Sequence, residues 1–214
     1  MGRALAARLG PRGDLVLVSR HADRVALPDG RQILIGTDPA VLVDCAVVLL
    51  AVPAIEVPGA LARVRPHLGA GAIVVNIATE LATSDLDGVG IRLLGCKIIG
   101  QSGQIARGVP AALVVNGATC AERAVLARVL EPVGAVLNAP ESLVAEVNDR
   151  VARRVIAAQL SLVRELGELG VPAVAHDAVI RNLAPGVWQA VASGNTGPFL
   201  SKIIEELSAA RRGP

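Results

Sequence analysis

The first residues place Leu5, Ala6 and Leu9 on one helical face, and Gly10-Pro11 stops the run. Short apolar stretches follow at regular intervals. They cover 14–20 (DLVLVSR), 31–37 (RQILIGT), 46–53 (AVVLLAVP), 72–78 (AIVVNIA), 96–100 (CKIIG), 111–117 (AALVVNG) and 134–139 (GAVLNA). The run at 46–53 shows no alternation of polar and apolar positions, which is the pattern of a strand covered on both faces. Helical segments are predicted between the strands at 37–45, 58–68 and 121–130. The first of these opens at Thr37 or Asp38, with Pro39 in its first turn. Alternating strands and helices joined by short Gly/Pro loops predict an α/β fold with a doubly wound parallel sheet.

The pattern changes after Pro140. From 141 to 169 the apolar residues Leu143, Val144, Val147, Val151, Val155, Leu160, Val163 and Leu166 keep helical spacing, with no strand signal. Helical stretches at 176–192 and 198–211 follow, separated by SGNTG. The expected organisation is an α/β domain over 1–139 and an all-helical domain over 140–214. So small a helical domain, carrying a wide apolar stripe, needs a partner to cover it. A homodimer formed through the C-terminal helices is expected.

Composition narrows the function. Apolar residues make up 52% of the chain, but it holds one Trp, one Phe and no Tyr, so the core is aliphatic. The net charge is +2 with arginines dispersed. Without a basic run or aromatic stacking platforms, nucleic-acid binding is not expected. Cys45, Cys96 and Cys120 lie far apart, in odd number and without metal-ligand spacing. They read as buried free thiols in a reducing cytoplasm, and no metal site is expected. The longest apolar run falls well short of the roughly 20 residues of a membrane span. With no signal-peptide pattern at the start, a cytoplasmic protein free of the membrane is expected. No Ser/His/Asp set or carboxylate pair points to hydrolysis.

The candidate chemistry is that of a dinucleotide site, which needs glycines where a first strand turns into a helix whose N-terminus meets the pyrophosphate. Met1-Gly2-Arg3-Ala4-Leu5-Ala6 reads as the end of such a turn entering its helix, with Gly2 as its last glycine. On this reading the sequence begins one strand late, and the edges of both neighbouring strands stay open to pairing with another chain. The other reading is an ordinary N-terminal helix. The next strand ends in Ser19-Arg20, with Arg24 four residues further on. Ser and Arg at this place suit the 2′-phosphate of NADP through charge-assisted hydrogen bonds, where an acidic residue would select NAD. The small residues Ala51, Val52 and Pro53 let a cofactor lie against the next strand end, and Asn76 to Ala78 would sit nearer the nicotinamide. For the substrate, Gln101, Ser102 and Gln104 occupy a Gly-flanked loop after a strand. Asn148, Arg150 and Arg154 lie early in the long helix, where Arg150 and Arg154 share a face and could hold a carboxylate. An exposed, salt-bridged helix face is the alternative for these charges. Lys97 lies within a strand, as a catalytic group or an edge cap. His21 reads as a bystander, and His176 as a surface or capping residue.

These pieces resemble the pyrroline-5-carboxylate reductase group, within the wider superfamily of 6-phosphogluconate and prephenate dehydrogenases. The resemblance covers nearly the whole chain. It rests on MGRALA, DLVLVSR followed by Arg24, DCAVVLLAVP, AIVVNIA, and CKIIG followed by GVPAALVVNG. It implies a Rossmann domain binding NADPH and a C-terminal helical domain that dimerises and completes the substrate site. It also implies hydride transfer to a C=N or C=O bond. The substrate side departs from the family. Asn76-Ile77-Ala78-Thr79-Glu80 stands where the reductases carry Ser-x-x-Ala-Gly. Gly100-Gln101-Ser102-Gly103 replaces a Met-Pro-Asn stretch, and Asn148-Asp149-Arg150-Val151 stands near a lost Gly-Ser-Gly-Pro-Ala. The expectation is an NADPH-dependent oxidoreductase reducing a small imine or oxo acid, with Asn148 and Gln101 steadying the substrate. The alternatives are a non-catalytic dimeric nucleotide-binding relative, and a deazaflavin-dependent NADP reductase, which shares the Ser-Arg strand end.

Overall fold

The apolar runs fold into two sheets. In the computed structural model, which describes residues 1–88 and 90–212, β1 (Leu17–Val18), β2 (Asp23–Ala26) and β3 (Gln32–Gly36) form a three-stranded sheet in the order β1-β3-β2. A five-stranded sheet follows in chain order: β4 (Val47–Leu50), β5 (Ile73–Asn76), β6 (Arg92–Ile99), β7 (Ala111–Asn116) and β8 (Gly134–Asn138). The architecture is Rossmann-like α/β followed by helices.

The sheets are not parallel throughout. Pairs β4–β5, β5–β6 and β7–β8 are parallel, as β1–β3 is, but β6–β7 is antiparallel. Between Ile99 and Ala111 there is room only for a turn and the short helix α3, which begins at Ser102 and ends at Ala106. A parallel crossover needs about a dozen residues or more, so β7 returns antiparallel. Strand β2 is not expected from the sequence, because DRVA sets two charged residues before two small apolar ones and shows no alternation. It pairs antiparallel with β3 across a turn in which Gly30 has φ +84°, and the Asp29-Gly30 pair is the signal for that hairpin. The expected strand at 14–20 shrinks to two residues, since it is paired on one side only.

Helix α1 (Gly2–Leu9) packs Leu5 and Leu9 onto one face of the larger sheet, with Val75, Leu94, Cys96, Leu113 and Val115 beneath. Helix α4 (Cys120–Leu130) adds Leu126 and Leu130 to the same core, and α3 adds Ile105. Burying each such leucine contributes about 2 kcal/mol. On the opposite face α2 (Val57–Val64) covers Leu50 and Val74 with Val57 and Leu61. Of the cysteines only Cys96 is buried, with its thiol pushed up to about 12 by burial. Cys45 is half-buried and Cys120, in the first turn of α4, is exposed, which corrects the expectation of three buried thiols.

Helix α1 also joins the two sheets. A side chain at Gly2 would touch Ala51 just beyond β4, and one at Gly10 would collide with Leu27 and Ile33 of the smaller sheet. Leu15, just before β1, packs into the same core as Val47 and Leu49 of β4. Past the strand ends, Arg20 and Glu56 are linked at 2.9 Å. Leu15 and strand β4 therefore share one core under α1, yet β1 and β4 belong to separate hydrogen-bonded sheets.

The chain separates into two compact units, Met1–Arg150 and Val151–Pro214. The long helix α5 (Glu141–Glu168) starts in the first unit and carries on into the second. After it come α6 (Ala173–Ala178), a π-helical turn at Val179–Leu183, α7 (Ala184–Ser193) and α8 (Pro198–Arg212). Helix α6 starts after Pro172, three residues ahead of the expected His176. The π turn has a local cause: Pro185 carries no N–H to bond the Arg181 carbonyl, and its ring crowds that oxygen. Within this unit Leu162, Val179, Leu183, Val187, Trp188 and Val191 line an apolar groove of about 650 Å³. Trp188 is 64% exposed and Phe199 75%. Among the described residues, no helix is long and apolar enough to cross a membrane.

Candidate functional site

The site is built where strands end. Helix α1 starts at Gly2, packed against Ala51 beyond β4, with a hypothetical Cβ 3.4 Å from both the Ala51 Cβ and its carbonyl oxygen. No side chain caps this helix, and its first turn holds no carboxylate. The amides of Ala4 and Leu5 bond to the Met1 carbonyl, and the positive end of the helix dipole is left for an anion. Val52 and Pro53 continue past Ala51 into a turn that presents Glu56.

Ser19 and Arg20 follow β1 directly, the Ser19 amide bonding to the Gly36 carbonyl at 2.9 Å. The Arg20 side chain is mostly exposed and meets Glu56. Arg24, on β2, reaches Gln32 at 3.3 Å. Arg3, which sequence reasoning missed, extends from the first turn of α1 to the Arg24 carbonyl at 3.2 Å and pairs with Asp23. Its position one residue after Gly2 was the available signal. Gly2 thus meets Ala51, Arg3 meets Asp23 and Arg24, and Arg20 meets Glu56.

At the end of β5 the expectation changes. Asn76 is 0% exposed and does not offer its amide outward. It donates to the Leu81 carbonyl at 3.0 Å and to Thr83 Oγ1 at 3.2 Å, and accepts from the Ala78 amide at 3.0 Å. Beside it lies Lys97, 1% exposed, in the interior strand β6 rather than at an edge. Its Nζ donates to the carbonyls of Ala78 at 2.6 Å and Leu81 at 2.8 Å, and lies 3.5 Å from that of Asn76. Glu141, the first residue of α5, stands 3.4 Å from Nζ and accepts the Thr83 amide at 3.1 Å. Burial lowers the Lys97 pKa, and the Glu141 carboxylate opposes that shift. This pair joins residues 44 positions apart, so no local spacing announced it; a lysine inside an apolar strand was the one clue.

Glu141 also borders a polar cleft of about 360 Å³, with Thr83, Ser84, Arg92, Gly95 and Asn116 among its walls. Arg92 binds both oxygens of Glu122, which also forms a capping box with Thr119 at the start of α4. The Arg92 hydrogen bond, then the Thr119 amide, lower the Glu122 pKa to about 2. That value is below its ordinary one, so the stabilisation is full above about pH 4.5 and fades as pH falls toward 2. Glu122→Gln should therefore lower the melting temperature at pH 7 and leave it unchanged near pH 2. A melting difference that is constant across this range would contradict the assignment.

The remaining candidates are dispersed. Gln101 caps α3, its Oε1 accepting the Gln104 amide at 3.0 Å. Asn148 donates to the Ile98 carbonyl at 3.0 Å and fastens α5 to β6. Arg150 pairs with Glu146 at 2.6 Å on an exposed helix face. The ring Nε2 of His176 lies 3.0 Å from the Val171 carbonyl. No group of His, Cys, Asp and Glu side chains among the described residues is placed to hold a metal ion.

No protein-family model matches the sequence, and no curated protein matches it. Solved structures match in fold. Pyrroline carboxylate reductase from Plasmodium falciparum, solved with NADP bound, is 12% identical with a TM-score of 0.65; the match covers 99% of this chain and 87% of that one. A pyrroline-5-carboxylate reductase from Coxiella burnetii is 13% identical with a TM-score of 0.64, over 98% and 87%. The 3-hydroxyisobutyrate dehydrogenase of Mycobacterium tuberculosis is 18% identical with a TM-score of 0.52, over 81% and 64%. At these identities the likeness is one of fold: the chain has the fold of the pyrroline-5-carboxylate reductases and of related oxidoreductases.

Proposed function

We propose that the chain binds NADP and serves as an NADPH-dependent oxidoreductase for a small imine or oxo acid. The observation that carries this is the uncapped start of α1, seated by Gly2 on Ala51, with Arg3 reaching Arg24 and with Arg20 just past the end of β1. The fit is good on the adenosine side. The α1 N-terminus would hold the pyrophosphate, and Ser19, Arg20 and Arg24 the 2′-phosphate, with the exposed Arg20 exchanging Glu56 for a doubly charged partner. Ala51, Val52 and Pro53 would floor the crossing toward β5, and Ala78 would border the nicotinamide. When bound, the nicotinamide supplies the hydride.

The protein's share is orientation and exclusion of water. Gln101 uses Oε1 within the fold, so its NH2 is the group that would meet a substrate oxygen. Asn148 holds the β6 end through its own NH2 and would position that substrate. In this reading residues 1–139 form the NADP-binding domain. The helices of 140–214, with their exposed apolar groove, form a homodimer in the cytoplasm. A second reading, a non-catalytic dimeric nucleotide-binding relative, is favoured by one observation: Asn76, Lys97 and Asn148 all spend hydrogen bonds inside the fold.

Calorimetric titration with NADPH, with NADH as control and Arg20→Ala alongside, tests the cofactor. Micromolar NADPH binding is expected, weakened at least about tenfold in NADH and in the variant by loss of a charge-assisted contact. Equal affinity for the two nucleotides would refute the 2′-phosphate assignment. NADPH oxidation with added cyclic imines or oxo acids then separates the enzyme from its binding-only rival.

A further inference from the structure

The NADP reading gives no task to the buried charge beside the strand ends. The segment from Ala78 to Thr83 has no strand or α-helix of its own, yet three buried or half-buried side chains gather its polar groups. Lys97 takes the carbonyls of Ala78 and Leu81, Asn76 takes the Ala78 amide and Leu81 carbonyl, and Glu141 takes the Thr83 amide. A methionine would fill the Lys97 position without the desolvation a buried ammonium entails. The charge is accounted for if the shape of this segment matters. Its location says why it would: the adenosine side lies at β1, the pyrophosphate site at α1, and the next strand ends along the sheet are those of β4 and β5. A dinucleotide laid along that line has its nicotinamide end at the segment Lys97 holds.

We propose that Lys97, braced by Glu141, is a positioning residue that fixes residues 78–83 as the platform for the nicotinamide half of the cofactor; this rests on the NADP reading. Lys97 touches no cofactor atom in this scheme and acts through the carbonyls of Ala78 and Leu81.

The test compares NADPH with adenosine 2′,5′-bisphosphate, which carries only the adenosine-side groups, and includes hydrogen exchange of the Ala78–Thr83 amides. Two variants keep it independent of a folding failure. Lys97→Arg retains the charge with a fork too wide for the same carbonyls, and Lys97→Met/Glu141→Gln removes both charges at similar volume. Both should weaken NADPH about tenfold, as for one lost set of ring-side contacts, leave the bisphosphate within about twofold, and speed exchange across the segment. Unchanged NADPH affinity overturns the proposal, as does equal loss of both ligands. A wild-type protein that binds the bisphosphate but gains nothing from the nicotinamide half also overturns it, with the adenosine site intact. Wild-type protein that binds neither ligand refutes the NADP reading itself, and the inference with it.

Discussion

Lys97→Met is expected to lower the unfolding free energy by about 3–5 kcal/mol, because it leaves the Glu141 carboxylate half-buried without its cation. The loss is not the worth of the ion pair. Two charges removed together cost little when packing is kept, whereas one removed alone strands the other. Lys97→Met/Glu141→Gln should therefore recover most of the stability: the glutamine carbonyl can still accept the Thr83 amide that Glu141 accepts at 3.1 Å. The Ala78 carbonyl loses its Lys97 donor in both variants, and the Leu81 carbonyl keeps only Asn76, so recovery will stop short of wild type. Urea unfolding of the three proteins measures this. A double variant no more stable than the single one would show that the pair is not what holds the segment.

Gly95→Ala should be nearly as damaging, at about 3 kcal/mol, by forcing an overpacked contact and disturbing the same pair. A Cβ there would lie 1.7 Å from Glu141 Oε1, 2.4 Å from its Cδ and 2.7 Å from Thr83 Oγ1. A free glutamate would swing aside. This one is pinned by Lys97 and by the Thr83 amide, so the methyl group displaces a carboxylate that neutralises a buried charge. The cost should shrink in a Glu141→Ala background, giving a coupling of about 1–3 kcal/mol in a double-mutant cycle, as for residues in contact. Additive losses would mean that Gly95 is needed for another reason.

How far the sequence reveals these features depends on the range of the interaction. Unbroken apolar runs mark β4, β5 and β7 because burial on both faces acts on every residue of the strand. The capping residues of short segments are equally local; Asp38 accepts the Ala40 amide at 2.9 Å, with Pro39 in the first turn. Strand β2 hid because it lies at a sheet edge, with Asp23 and Arg24 exposed. The antiparallel turn of β7 depended on counting the residues in its loop rather than on any residue type. On the candidate site, the sequence marks the places of Gly2, Ser19 and Arg20 because Gly2 opens α1 and Ser19 and Arg20 follow β1, whereas Arg24 falls inside a strand that the sequence does not announce. Asn76 was legible as a place but not as a role: its amide points inward, and nothing local says which side of a strand end faces the crevice. The Lys97–Glu141 pair joins a strand to a helix 44 positions later in the chain, and only the fold brings them together.

The division between β1 and β4 bears on how the molecule opens. Strands hydrogen-bonded into one sheet tend to unfold as a unit, whereas pieces joined only by side chains can open separately. The three-stranded sheet is tied to the rest by α1, Leu15 and the exposed Arg20–Glu56 link, and its strands β1 and β3 carry few buried residues. This low burial predicts that its amides exchange through partial opening while those of β5, β6 and β7 wait for global unfolding. A ligand gripping both sides of the divide would act as a splint: by binding only the closed form, it would protect the small sheet first and most.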